Sequence, residues 1–426
     1  MEKVKCCLLI ILNVLIVCLL VSCKNSGIIT DDNVKTTDES TTEISEQTQS
    51  VSIQTTTNTN SSVNTVFDRK TNYICGDAEY GFCEELNDND TVEGAYFTIE
   101  GGQATSFIVS GIVSTIKTDS YEYLIHENGF AEIKNCLING GNIEIPTVID
   151  GHPIAYIGKS AFSSISMDNL IIPEGIIAIG QEAFANISSL KSVRLPNSLV
   201  AISSYAFSKC KNLKDVYMNE NVEAIGSSCF EGCIGLKEVY VPKSVKLIAS
   251  GAFADCTNLE KVVFNKGLRG ISSGAFTNTS ISELQLPDGI SVIGPVAFSY
   301  CKNLKKAILP EKLGDAYNGF GAGMFGGCTS LEEVRIPNNV KGILQGTFQD
   351  CVSLKSITIP KSVEFMSFGV FAGCKNLKDI YFESKDCDIL ANNFMFMPDL
   401  RIHAPKGGSV EKYIRFNPLI KFVATD

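Results

Sequence analysis

The residues with the most chemical reach in this 426-residue chain are its sixteen cysteines. Thiols at fixed spacing serve as metal ligands, disulfide partners or nucleophiles. Seven share one register. Cys210, Cys233, Cys256, Cys301, Cys328, Cys351 and Cys374 each lie three residues after a phenylalanine, and elsewhere the same slot holds Ile165, Ile187, Thr279 and Met397. A position that accepts Ile, Met and Cys reads as a buried apolar position, where free Cys behaves as a small hydrophobe. The seven are therefore expected to be reduced and packed, without metal. Neighbouring parallel strands also give poor disulfide geometry. Cys229 precedes its phenylalanine in a slot usually held by Ala, and Cys136 and Cys387 have no place in the register. Cys75 and Cys83 lie in a polar stretch with no nearby His, which leaves a local disulfide open outside the cytoplasm.

Two other patterns invite a catalytic reading. The segment GFGAGMFGG (319–327) places Gly321, Gly323 and Gly326 at dinucleotide-loop spacing, but the strand–turn–helix context that such a loop needs is missing. It reads instead as an extra surface loop, with Tyr317 and Phe320 as contact residues. His126, His152 and His403 are the only histidines, and they lie towards the two ends of the patterned region. No His-Ser-Asp or His-metal constellation follows from them. No catalytic residue and no cofactor is expected.

The elements that carry these residues are set by a period. Phenylalanines recur at 162, 184, 207, 230, 253, 276, 298, 325, 348, 371 and 394, with spacings of 22, 23 or 27 residues. The unit Cys233 to Cys256 shows the order within one period. Leu236, Val239 and Val241 alternate as one face of a short strand, Pro242 ends it, Val245 and Ile248 turn inward, and Ala252-Phe253 closes it. A unit this short cannot bury its own apolar face and is stable only when neighbours stack on it. The period therefore predicts a solenoid, mostly β, with parallel stacked strands and irregular or short helical returns. Eleven coils at strand spacing give roughly 50 Å of stacked sheet.

The recurring N-L-x-x-V-x-L-P-x-S-V-x-x-I-G-x-x-A-F-x-x-C pattern resembles the BspA-like leucine-rich-repeat family of bacterial surface proteins, over about residues 121–426. The segment 121–158 is similar to that family's N-terminal cap, and 403–423 to its closing helix and strand. The resemblance implies a right-handed leucine-rich-repeat coil, a surface-binding role and no catalytic residues. The solenoid with its N-terminal cap is assigned to 121–402 and the C-terminal cap to 403–426.

Ahead of the repeats, Lys3 and Lys5 precede a short apolar run, Cys6 to Leu20, followed by Leu20-Val21-Ser22-Cys23. Small residues before a cysteine resemble the bacterial lipobox, in which the chain is cut before the cysteine and its thiol is joined to a diacylglycerol. The competing reading is an uncleaved membrane anchor, for which the run is short. Residues 1–22 are read as a lipoprotein signal peptide and Cys23 as the lipidated residue, so the membrane is met through a lipid. Residues 23–70 follow as a Ser/Thr-rich tether. Eighteen of residues 24–70 are Ser or Thr, and a segment this polar cannot offset its chain entropy by burial. Residues 71–120 are read as a small β-rich lead-in, with AYFTIEG (95–101) and TSFIVSGIVSTIK (105–117) alternating as strands do.

Strand alternation also separates an outward face from the core. Its central row runs Ile171, Arg194, Tyr217, Tyr240, Val263, Gln285, Ile308, Arg335, Thr358, Tyr381. Tyr and Arg are the residues most often found at binding hot spots, yet aromatic and β-branched side chains also simply suit strands. Arg194, Tyr217, Tyr240 and Tyr381 are the ligand-binding candidates. The neighbouring row alternates in sign from Glu238 through Lys261, Glu283 and Lys306 to Glu333, a structural pattern that supports strand pairing. The net charge of −11 argues against a nucleic-acid partner. These features together point to an extracytoplasmic, lipid-anchored surface protein that binds a protein or glycan ligand through its sheet face, in the manner of an adhesin. The alternative is a structural spacer or assembly lipoprotein with no dedicated ligand.

Overall fold

The computed structural model describes the backbone of 91–92, 95–100 and 103–109, and describes in full 111–313, 321–395, 397 and 399–425. All of these belong to one compact unit, 65–426. Signal peptide, tether, Cys23, Cys75, Cys83, Tyr317 and Phe320 lie outside the described residues.

Each coil contributes two strands and one hydrogen-bonded turn, which stack on their counterparts in neighbouring coils, the first strands in several separate groups. The L-x-x-V-x-L segments form the first sheet. Its strands are short and parallel, with a register of one repeat, as in Ser192–Arg194 against Asp215–Tyr217. A second parallel sheet, not anticipated from the sequence, is built of two-residue strands such as Ala178–Ile179, Ala201–Ile202 and Ala224–Ile225. Their isoleucines, Ile179, Ile202 and Ile225, point inward and are buried. This sheet continues N-terminally into the cap through His152–Ile157, Ala131–Cys136, Tyr121–His126 and Ile112–Lys117. The last of these pairs antiparallel with Tyr121–His126. The strands Ala95–Glu100 and Gln103–Val109 pair antiparallel with each other.

The returns are turns rather than helices. Two residues per coil take positive φ, for example Tyr205 and Lys209, then Ser228 and Gly232. Backbone N–H groups of the return donate to the following coil: Phe184 to Ala206, Phe207 to Cys229 and Phe230 to Ala252, each at 2.8 Å. These bonds satisfy the backbone of the returns through the neighbouring coils, as a buried chain needs. Inside, the repeat phenylalanines form one continuous stack from Phe162 to Phe394. Successive ring centroids are 5.0 to 6.3 Å apart. Rings in the middle are nearly parallel, with Phe207 and Phe230 inclined by 4°.

The glycine segment is explained by the coil. Gly321 occupies the slot of Gly180, Gly226 and Gly294, where a side chain would strike the preceding coil; a Cβ there would lie 2.8 Å from the Gly294 oxygen. Gly323 holds the first positive-φ position of its return, at +61°. Repeat geometry thus accounts for both, and turns follow them rather than a helix. The four extra residues of the 27-residue unit fall between Leu313 and Gly321.

The stack closes with Arg401–Ala404, the helix Ser409–Arg415 and the strand Lys421–Ala424, which pairs parallel with Arg401–Ala404. Val410 and Ile414 cover the end of the core.

Candidate functional site: the outward face of the first sheet

The first sheet presents every other side chain outward, because its inward positions are needed by the core. Val193, Val239, Leu284, Ala307, Ile357 and Ile380 are buried. Their outward neighbours Ile171, Tyr217, Tyr240, Ile308 and Tyr381 are exposed, Tyr217 at 61% and Tyr240 at 47%. Arg194, Gln285, Arg335 and Thr358 are exposed as well, while Val263 is half-buried.

Register brings Arg194 and Tyr217 directly opposite each other. Tyr240 stands on the next coil, but its strand is not hydrogen-bonded to Asp215–Tyr217. The sheet is interrupted there, again between Lys261–Val263 and Glu283–Gln285, and again before Ser356–Ile359. The first two interruptions follow coils in which Asn219 or Asn265 replaces the repeat proline. The Asn265 amide donates to Pro242 O at 2.6 Å and Val245 O at 3.1 Å, and its Oδ1 accepts Gly267 N–H at 2.6 Å. Asn219 likewise bonds Pro196 O and accepts Asn221 N–H. Val216 and Met218 beside this break are only half-buried, less enclosed than their counterparts Val239 and Val241.

Tyr240 has a fixed partner that the sequence did not reveal. Its hydroxyl donates to Glu220 Oε1 at 2.9 Å, and Lys243 N–H donates to Glu220 Oε2 at 3.0 Å. These bonds, the backbone one first, hold the Glu220 carboxyl below its ordinary pKa, and the carboxylate in turn raises that of the Tyr240 phenol. Tyr240 is thus pinned across the break, whereas the Tyr217 hydroxyl makes no hydrogen bond among the described residues.

Tyr381 lies far along the same row, in a different setting. In register it stands between Thr358 and His403. The His403 ring stacks on it, with centroids 4.3 Å apart and planes 19° from parallel. His403 Nε2 donates to Asp379 Oδ1 at 2.7 Å, and Arg401 Nη2 donates to Asp379 Oδ2 at 2.5 Å. The Arg401 bond, then the His403 bond, lowers the Asp379 pKa. Sequence reading placed His403 in a cap with no companions. The alternation Arg401-Ile402-His403-Ala404, with Ile402 and Ala404 buried, was the signal that puts it on the outward row. His126 also has a partner, Glu132 Oε2 at 3.1 Å, and His152 Nδ1 lies 2.9 Å from Gly129 O.

In the neighbouring charged row, Glu238 pairs with Lys261, and Lys306 pairs with Glu333 at 2.8 Å. Glu283 makes no ion pair among the described residues. Exposed pairs of this kind contribute about 0–1 kcal/mol each, enough to favour register but not to dominate stability.

The family profile described as BspA type Leucine rich repeat region matches residues 125–250, 224–320 and 313–407. The chain belongs to the BspA-type leucine-rich-repeat family. Among solved structures, this BspA-type chain is similar to a leucine rich cell surface protein from Faecalibacterium prausnitzii. The two are 24% identical, with a TM-score of 0.45, over 70% of this chain and 97% of that one. It is also similar to a leucine-rich repeat protein from Bacteroides ovatus, at 23% identity and a TM-score of 0.46, over 75% of this chain and 100% of that one. A leucine-rich repeat protein from T. pallidum is 22% identical, with a TM-score of 0.30, over 62% of this chain and 91% of that one. No curated protein sequence matches it. The BspA-type repeat places the seven register cysteines in the core, all free and fully buried. Among the described residues no group of His, Cys, Asp and Glu is arranged to hold a metal ion, and no helix is long and apolar enough to cross a membrane.

Proposed function

We propose that this BspA-type protein is held at the bacterial cell surface by a lipid on Cys23 and captures a protein or glycan ligand on the outward face of its first sheet. It acts by binding rather than by catalysis. The observation that carries this reading is the exposure of Arg194, Tyr217 and Tyr240 on neighbouring coils of a face whose other side packs on the core. Two broad amphipathic rings beside a guanidinium can bury apolar area with little rotamer entropy lost, while Tyr217 and Arg194 still donate hydrogen bonds. The break in the sheet between Tyr217 and Tyr240 interrupts an otherwise regular surface there. The paired charges of the middle coils favour the alternative, a spacer, because they tie up side chains that a ligand would need.

The two readings separate experimentally. Ligands are taken from bacterial-surface glycans and host-surface proteins, and their affinities are measured for the full chain, for Tyr217→Ala with Tyr240→Ala, and for Gln285→Ala on the same row. The double variant should melt at nearly the parental temperature yet bind about 2 kcal/mol or more weaker, the hot-spot scale, while Gln285→Ala changes little. Equal affinity for all three proteins would remove the tyrosine patch from consideration.

A further inference from the structure

We propose that the outward face over the last coils is a subsite for an acidic saccharide, with a hexuronate ring lying against Tyr381 and its carboxylate directed to Lys355 and Lys378. This deepens the binding reading above and rests on it, but it uses a separate set of residues.

Tyr381 is braced on one side only. His403 stacks behind its ring, and Asp379 fixes His403 while also holding Arg401. An ionised carboxylate only accepts, so His403 Nε2 carries the proton in this bond. On the other side, in register with Tyr381 and Asp379, stand only Thr358 and Ser356. Both are exposed and too short to cover an aromatic ring. This strip, one strand wide, bounded by an aromatic ring held from behind and lined by two hydroxyls, is the trough in which the sugar would lie. Tyr381 keeps 41% of its surface exposed.

Those features select a class of ligand. The C–H face of a pyranose ring packs on an aromatic face, and its hydroxyls exchange hydrogen bonds with Ser and Thr. An apolar protein knob would leave the floor hydroxyls without partners, which is costly once water is excluded. Charge narrows the class further. Lys355 and Lys378 lie at the upstream edge of the same two strands, one coil apart, linked through the backbone bond from Lys378 N–H to Lys355 O at 2.9 Å. Both are exposed, and neither makes an ion pair among the described residues. The one carboxylate on these two strands' outward face, Asp379, is already engaged by Arg401 and His403. In a chain of net charge −11, this edge carries two uncompensated cations beside the trough. An ammonium is a compact charge suited to a sugar carboxylate.

The test is calorimetric titration of the full chain with hexagalacturonate and with its methyl-esterified, uncharged counterpart. The acidic hexasaccharide should bind, and the ester about tenfold weaker or less; Tyr381→Ala should weaken acidic binding about tenfold or more. His403→Ala should lose a smaller factor, since the ring remains but its brace is gone. Lys355→Ala with Lys378→Ala should weaken binding and flatten its dependence on salt. Tyr217→Ala should leave it unchanged. Absence of binding by the parent at millimolar saccharide overturns the proposal. So does equal binding of the ester, or an unchanged affinity in Tyr381→Ala. Loss of binding in Tyr217→Ala alone would also overturn this subsite, while supporting the binding reading at the other patch.

Discussion

The cysteine ladder shows how much one side chain does inside a coil. Each of the seven thiols is buried and donates to the carbonyl of the preceding coil's phenylalanine, as in Cys233 to Phe207 O and Cys256 to Phe230 O, both at 3.1 Å. The slot is therefore not merely apolar. It also bridges two coils, whereas Thr279 in the same slot turns its hydroxyl to Phe276 O of its own coil at 3.1 Å and makes no such bridge to Phe253. Cys256→Ala should cost about 1–2 kcal/mol in urea unfolding, from a small cavity and the lost bond. Burial also pushes the Cys210, Cys256 and Cys374 thiols up to about 12, from an ordinary value of 9.0. The folded state thus favours the neutral thiol. Its stabilising effect is complete below pH 9 and is lost as pH rises towards 12, because the unfolded chain ionises first. The urea midpoint should fall between pH 8.5 and pH 10.5, less steeply in Cys256→Ala; an identical pH slope in parent and variant would contradict this. Val296 offers the opposite case. It is a β-branched residue at φ +51°, in a position held by Gly251, Gly274, Gly323, Gly346 and Gly369 in other coils. Val296→Gly should raise stability by about 1 kcal/mol, because the left-handed conformation costs a β-branched side chain more than the half-buried contacts return. A lowered melting temperature would show that packing prevails.

At the scale of the element, the phenylalanine stack and the three hydrogen-bonded ladders do different work. The ladders satisfy the backbone, and the stack supplies apolar burial that no single coil possesses. Because each coil touches only its neighbours, damage should be local in origin. Phe253→Ala, in the middle of the stack, should cost about 3–5 kcal/mol. Phe394→Ala should cost less, since that ring is 7% exposed and has a repeat phenylalanine on one side only. Hydrogen exchange should show protection lost first in the coils flanking residue 253. Uniform loss along the whole chain would mean that the array unfolds as one unit. The interruptions of the first sheet belong to this scale too. Asn219 and Asn265 tie their turns to the preceding coil, and the strands that follow do not pair with those before them.

For the whole molecule, the decisive question is how the solenoid is presented. The Leu20-Val21-Ser22-Cys23 sequence leads to a specific expectation. Mass spectrometry of the mature protein should find an acylated cysteine as its first residue, and Cys23→Ala should abolish both the acylation and the cut. An unmodified start at another residue in the parent would exclude the lipid anchor.

Sequence alone determined the architecture, because a repeated apolar pattern has few solutions. The phenylalanine spacing set the coil, the L-x-x-V-x-L alternation set inside and outside, and the tolerance of one slot for Ile, Met and Cys marked it as core. These are properties of single positions relative to their own period, and they survive without coordinates. What pairs across coils was not legible. The second sheet has strands of two residues, too short for any alternation to announce. The thiol-to-carbonyl bonds join side chains to a backbone 26 residues away, or 25 and 30 where the repeat length changes. The break between Tyr217 and Tyr240 leaves no mark in the strand alternation on either side of it. His403 joined Tyr381 and Asp379 only because the last unit is one residue shorter, a shift of register that moves it from an apparent cap to the outward row. Patterns within a repeat are written in residue types; contacts between repeats depend on where the backbone places donors and acceptors, and that is fixed only when the coils stack.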